Sequence, residues 1–409
     1  MQTTSTTVQA PTGRAGARAD GFTGGNIGAL LLGHCAGMLD LVGLPVWVGA
    51  NLIGFYKFDP QKAGLLATVF LLCAVIASMV LAPRYGRSSA KTVTVAGYVV
   101  AALSFVALAT FAGHDYPTML VLHAIGGLGA GSALTMVDGT MGRSDNPHRM
   151  FAYAGVAVAV FGIVVLGSGP AIIGKLGGTA LWFVFAGVMG LAALLALLAF
   201  PQVPAARPHP EGATGRISRH VWFGIIGMSI LCMAHSMIFP FVERMGIDRG
   251  YAAGTVAGVL ASIGFANLVP SPLAAALEKR LRPERAIVGG TVFHMVLVLF
   301  VTQVPRLEVY VPLVAILTTP LLFMHTFLFG LMARLDPSGR AVAATPAMLM
   351  IGSGIGPALG GTLLVAAGYP GLGMGVAGFG LLAAIFFFSM RGKTGSRQTA
   401  KGCVDNATP

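Results

Sequence analysis

The chain has 409 residues, 55% of them hydrophobic and only 10% charged, with 57 glycines and a mean hydropathy of +0.80. Soluble domains carry roughly 25% charged residues, so the balance excludes an ordinary soluble domain and predicts an all-α polytopic membrane protein. The net charge of +12 alone would be compatible with a nucleic-acid partner.

Residues 1–23 are rich in Thr, Ser, Gly and Ala and carry Arg14 and Arg18. They lack the apolar core of a signal peptide, which predicts a disordered tail. The first apolar run, Asn26 to Phe55, is long enough to cross a bilayer, which takes about 20 residues. It nonetheless contains His34 and Asp40. A carboxylate near the middle of a membrane helix costs ~2.5–3.5 kcal/mol on insertion scales. Asp40 is therefore expected to face a water-filled cavity and to take part in moving a solute. The plainer alternative is a neutral or hydrogen-bonded acid that glues neighbouring helices together. His34 lies six residues earlier, about 120° round an ideal helix, so the two side chains do not share a face. Pro45 is placed to kink the same helix.

Apolar runs predict twelve spans, near 24–51, 61–82, 92–113, 118–141, 151–173 and 178–201, then 220–242, 252–275, 286–304, 311–333, 341–367 and 371–390. The longest polar interruption, 202–219, reads as a linker between an amino-terminal bundle (24–201) and a carboxy-terminal bundle (220–390) of six helices each. A basic tail covers 391–409 and suits the anionic inner leaflet. Cys35, Cys73 and Cys232 lie in apolar runs and Cys403 in that tail, with neither a pairing pattern nor metal-ligand spacing.

Lys and Arg set the orientation of such a chain. With the amino terminus in the cytoplasm, 20 of the 26 basic residues fall on the cytoplasmic side and 6 on the other. Both termini are therefore expected in the cytoplasm, and a bacterial inner membrane is the expected location. The positive charge is a topology signal that needs no nucleic-acid partner. No Lys or Arg lies deep in a span, where the ionisable groups are Asp40, Asp138, His34, His123, His235, His294 and His325. Carboxylate and phosphate substrates usually require a permanent cation, most often Arg. A neutral or cationic small molecule is the expected substrate, with protonated histidines the one route to an anion site.

The two halves echo each other. Arg143, Asp145 and Arg149 follow the fourth span in the pattern R-x-D-x-x-x-R, and Arg334, Asp336 and Arg340 follow the tenth in the same pattern. Gly167, Gly169, Pro170 and Gly174 in the fifth span answer Gly352, Gly354, Gly356, Pro357, Gly360 and Gly361 in the eleventh. Arg84-Tyr85-Gly86-Arg87 after the second span answers Lys279-Arg280-Leu281-Arg282 after the eighth. Basic loops and small residues are individually weak signals. Together they describe repeated six-helix halves with a midplane site between them, the architecture of alternating access.

These motifs resemble the major facilitator superfamily over almost the whole chain. The family's loop between spans two and three reads G-x-x-x-D-R-x-G-R-R. Arg84, Gly86 and Arg87 match it, while Pro83 replaces the aspartate. The resemblance implies a gating charge relay, weakened or rearranged here. The family's fourth span often carries R-x-x-x-G-x-x-x-G, answered here by His123, Gly127 and Gly131. Histidine is a titratable substitute for that arginine; proton coupling and a polar core position are both open for it. Gly169-Pro170 resembles, in part, the Gly-Pro signature of the superfamily's exporters.

In the seventh span His235 and Phe239 are four residues apart and share a face, followed by Pro240, Glu243 and Arg244. They suit a cavity wall that offers an aromatic surface to an apolar or cationic ligand, although packed or lipid-facing bulk is the plain alternative for Phe239. Met324, His325 and Phe329 repeat the pattern in the tenth span, and Asp138 is assigned to a gate or loop network. The chain thus reads as a secondary-active, proton-coupled transporter of a small organic molecule, with export favoured over proton-coupled uptake. An embedded enzyme is disfavoured, because no nucleophile with its base, metal cluster or phosphate loop is present. No cofactor is expected, the proton gradient being the energy source, and a monomer in the lipid bilayer is the default.

Overall fold

The computed structural model of the protein describes residues 22–85, 88–201, 218–335 and 345–390. Residues 202–217 of the predicted 202–219 linker, the tails, and Gly86, Arg87, Asp336 and Arg340 lie outside the described residues, as does the side chain of Arg334.

Among the described residues, ten helical stretches are long and apolar enough to cross a membrane. The longest, Leu349–Ser389, contains Gly368 at φ 63° and ψ −170°, so it is two spans joined at a left-handed corner that glycine adopts without steric cost. The first span is assembled from Gly24–Gly37, Leu39–Val42 and Pro45–Phe55. It completes the twelve. Starts are set by side-chain caps and proline: Asp59 accepts from Lys62 N–H ahead of Pro60, Asp115 from Thr118 N–H ahead of Pro117, and Asn146 from Arg149 N–H ahead of Pro147.

Several spans expected as single rods are broken. The first departs from α-helix at Met38 and runs as a π-helix from Pro45, whose missing N–H removes a rung of the ladder. The seventh narrows to a tight turn at Phe239–Phe241 around Pro240, and the eighth breaks between Ala253–Ala266 and Pro270–Leu277. The tenth breaks between Leu307–Ala315 and Thr319–Leu335.

Lipid is as apolar as leucine, so helices in a bilayer associate through close packing rather than the hydrophobic effect. Within the amino-terminal half, Gly127 and Gly131 of the fourth span lie directly against the backbone of Phe70 and Ala74 in the second. The echoed glycines act alike in the two halves. Gly169 of the fifth span lies against Val46 of the first, and Gly167 against Ala261 of the eighth, across the halves. In the eleventh span, Gly356 and Gly360 lie against Ser236 and Met237 of the seventh, while Pro357 and Gly361 meet Gly64 and Pro60 of the second, again across the halves. Spans five and eleven therefore each join the opening span of their own half to the second span of the other.

These crossings share one location. Among the described residues, glycine contacts between halves run from mid-height, at Gly354 on Leu72 and Gly264 on Ile163, to the face where spans one and two meet. We call this the far face; the opposite one, where the first span begins and the last ends, is the terminal face. The halves are sealed on the far side.

A methyl group at Gly131 would overlap the Ala74 backbone, and overpacked cores lose about 1–3 kcal/mol. Gly131→Val is expected to lower the thermal unfolding midpoint in detergent, whereas Gly155→Ala, at a helix-interior site with open space, is expected to leave it no lower, since alanine is the better helix former.

Candidate functional site

The break at Met38 orients the ionisable side chains of the first span. His34, in the last turn before it, meets Asp138 of the fourth span, with Nδ1 and Oδ1 at 2.7 Å. The pair is partly open, with side-chain exposures of 14% and 33%. Asp138, assigned from sequence to a gate or loop network, is thus the partner of His34. Asp40 lies just beyond the break and is 4% exposed. Its Oδ1 accepts the Leu41 N–H at 2.8 Å, which satisfies a donor that the interrupted helix frees. The expected opening of Asp40 onto a water-filled cavity is absent in this conformation. His34 and Asp138, by contrast, are both partly exposed.

Next to these groups stands Tyr98 of the third span, whose O–H donates to Gly33 O at 2.5 Å, with Gly33 itself against Val137. Spans one, three and four are thus locked together at the residue just before His34.

His123 belongs to a buried aromatic cluster. It is fully buried, stacks on Trp47 with ring centroids 5.4 Å apart, and meets Trp182 edge-on at 5.7 Å. Phe70, Phe105 and Phe185 close the cluster. Its Nδ1 donates to Met119 O at 2.6 Å, so Nε2 of the neutral ring is a bare acceptor, and it has no partner. Among the described residues no carboxylate pairs with it. The tryptophans that define this cluster carry no sequence motif; their meeting joins residues 47, 123 and 182, which only the fold brings together.

In the carboxy-terminal half, His235 stacks on Phe239 at 5.1 Å and shares a hydrogen bond with His294 of the ninth span, Nδ1 to Nε2, at 3.1 Å. The shared face expected for His235 and Phe239 is occupied by this internal stack, and both are buried. His325 packs on Phe329 with centroids 3.8 Å apart, and its Nε2 is buried without a partner among the described residues. The structure therefore does not gather His34, His123, His235 and His325 into one site. His34 alone joins an acid.

The loops on the terminal face form a second group. The Arg143 guanidinium lies over the Tyr85 ring at 3.8 Å, and the Tyr85 hydroxyl meets Thr140 Oγ1 at 2.6 Å above Gly139. Arg84 donates to Val80 O at 2.5 Å, and Arg149 Nε to Tyr153 O–H at 2.5 Å. Asp145 is exposed at the turn before span five. Among the described residues none of these arginines is in an ion pair. The contact that joins the two loops of this half is a cation on an aromatic ring, with Tyr85 the residue that motif matching overlooks.

The family model described as Major Facilitator Superfamily matches residues 30–338, well over half of the chain. No curated protein matches. Two solved structures of a bacterial homologue of the human lysosomal transporter Spinster share the fold. One is inward-facing and unoccupied, with TM-score 0.68 and 14% identity. The other is inward-facing and occupied, with TM-score 0.69 and 15% identity. In both cases 89% of this chain and 96% of that chain are covered. The chain belongs to the Major Facilitator Superfamily and is a multi-pass membrane transporter.

Proposed function

We propose that this transporter exports a small organic molecule in exchange for protons, its two halves rocking about the seam between them. The observation that carries the reading is the His34–Asp138 pair. It is ionisable, partly open to solvent, and joins the first and fourth spans on the terminal side of the level where the halves are sealed. Asp40, closed off on the same helix, supplies a second exchangeable proton whose access to water depends on conformation. An ionised group in hydrocarbon is expensive, so gain and loss of that proton are tied to which face is open.

The other features fit this account. The arginines on the terminal face argue by the positive-inside rule that this face is cytoplasmic, so a seam closed on the far side leaves the pathway open inward. The spans carry no deep Lys or Arg, which favours a neutral or cationic substrate over an anion. The Gly169-Pro170 element favours export. Both halves lie on one chain, so a monomer in a bacterial cytoplasmic membrane suffices, with the proton gradient as energy source.

In proteoliposomes, substrate added without a preset gradient is expected to drive proton movement opposite to substrate movement. Asp138→Asn and Asp40→Asn are each expected to reduce that flux to the protein-free background while the protein still inserts and purifies. Wild-type flux in both variants contradicts the reading, and protons moving with the substrate would instead indicate symport.

A double-mutant cycle tests the pair itself. His34→Ala and Asp138→Ala are expected to couple by about 0.5–3 kcal/mol in unfolding measurements, as contacting residues do. Strict additivity would show that the two side chains do not interact.

A further inference from the structure

We propose that Glu243 is a further proton-exchange residue of the transport cycle, and that its carboxyl forms the seal between spans one and seven on the far face. The inference rests on the proton-coupled reading above but concerns a different residue at the opposite end of the pathway.

Glu243 is 6% exposed and sits in Val242–Asp248, just beyond the turn that Pro240 makes in the seventh span. It faces the π-helical segment of the first span so closely that a Cβ on Gly49 would stand 2.8 Å from Oε2. Among the described residues Oε2 has no hydrogen-bond partner. The neighbouring cation is already engaged, since Arg244 pairs with Asp248 at 2.6 Å, and Asp248 also accepts the Tyr369 hydroxyl at 2.8 Å. On the tenth span, Tyr310 gives its O–H to Val242 O at 2.8 Å and meets Tyr251 at 5.2 Å. Arg249 donates to Thr302 O at 3.0 Å. Neither Pro45–Phe55 of the first span nor Ala253–Ala266 of the eighth offers an ionisable group.

The carboxyl is thus pressed between the halves, at the closed end of the seam, with Oε2 unpartnered among the described residues and the adjacent Arg244 shared with Asp248. An ionised carboxylate buried without a partner is strongly destabilising. The closed seam accommodates the neutral acid, whereas the anion requires water and so requires the seam to part. When the far face opens, the carboxyl releases its proton to water there. When the carboxylate takes a proton from that side, spans one and seven can close over it. One proton is gained or lost at one oxygen, and no other bond changes.

The test uses the full-length protein in nanodiscs with nitroxide labels at Leu176→Cys and Leu307→Cys, exposed far-face positions on different halves. Interspin distances are measured across a pH series. The wild-type distance population is expected to shift from short to long as pH rises, and Glu243→Gln, a neutral isostere, is expected to stay short throughout. Gly49→Ala keeps the acid but places a methyl against it, and is expected to populate the long distance even at low pH. A pH-dependent shift in Glu243→Gln equal to that of wild type overturns the proposal, as does a wild-type distance that ignores pH. If Glu243→Gln does not fold, Gly49→Ala decides, with a short distance at low pH counting against. Failure of the wider reading shows separately, as absent substrate-driven proton flux in a protein whose distances still respond to pH.

Discussion

The structure depends on backbones that touch across the interface between its halves. In a bilayer no hydrophobic force drives one helix against another, so two six-helix bundles stay in register only where small residues allow main chains to meet. Gly64 on Pro357 and Gly361 on Pro60 provide this between spans two and eleven, where Ala358 N–H also donates to Thr68 Oγ1 at 3.0 Å. Gly167 and Gly264 provide it between spans five and eight. Such contacts are extensive but contain few hydrogen bonds. They can be broken on one face and re-formed on the other without stranding buried polar groups, which suits a seam that must open.

Against this adaptable seam, the interior of each half is rigid and specific. The amino-terminal half is stiffened by the cluster of Trp47, His123 and Trp182, where Trp182 Nε1 also donates to the Tyr56 hydroxyl at 2.9 Å. The carboxy-terminal half has the His235–His294 bond with Phe239 stacked upon it. Rigid halves and an adaptable seam are what a rocking motion needs, because strain applied at one end is transmitted rather than absorbed. Three of the four histidines considered for proton coupling or the substrate cavity, His123, His235 and His325, pack within their own half. That follows from their partners in this conformation: a backbone carbonyl, another imidazole and a phenyl ring, none of them a carboxylate.

Much of the architecture was legible in the sequence. Apolar run length marks the spans, and the echo of Gly167–Gly174 in Gly352–Gly361 marks the halves, because both signals are local and follow from hydrocarbon thickness and helix contact. The departure of the first span from a straight rod was half legible: Pro45 announces a disturbance, but a π-helix depends on which rung the surroundings allow. The 120° separation of His34 and Asp40 correctly predicts different neighbours. It cannot say that Asp138, more than a hundred residues on, waits beside one of them. Asp40 shows the limit most clearly. Its cost in the membrane is readable from one position, whereas its partner, the Leu41 N–H, exists only because the helix breaks there. Glu243 looked like an ordinary end-of-span acid, since burial at a seam is a property of the assembled halves.

The measurement that tests the central claim most directly is a reversible lock on the seam. Cysteines introduced as Thr68→Cys and Ala358→Cys lie where the second and eleventh spans already share a hydrogen bond. On oxidation the pair is expected to cross-link readily and to stop substrate transport, with full recovery on reduction. A cross-linked protein that transports at the uncross-linked rate would contradict the claim that the halves part along this line.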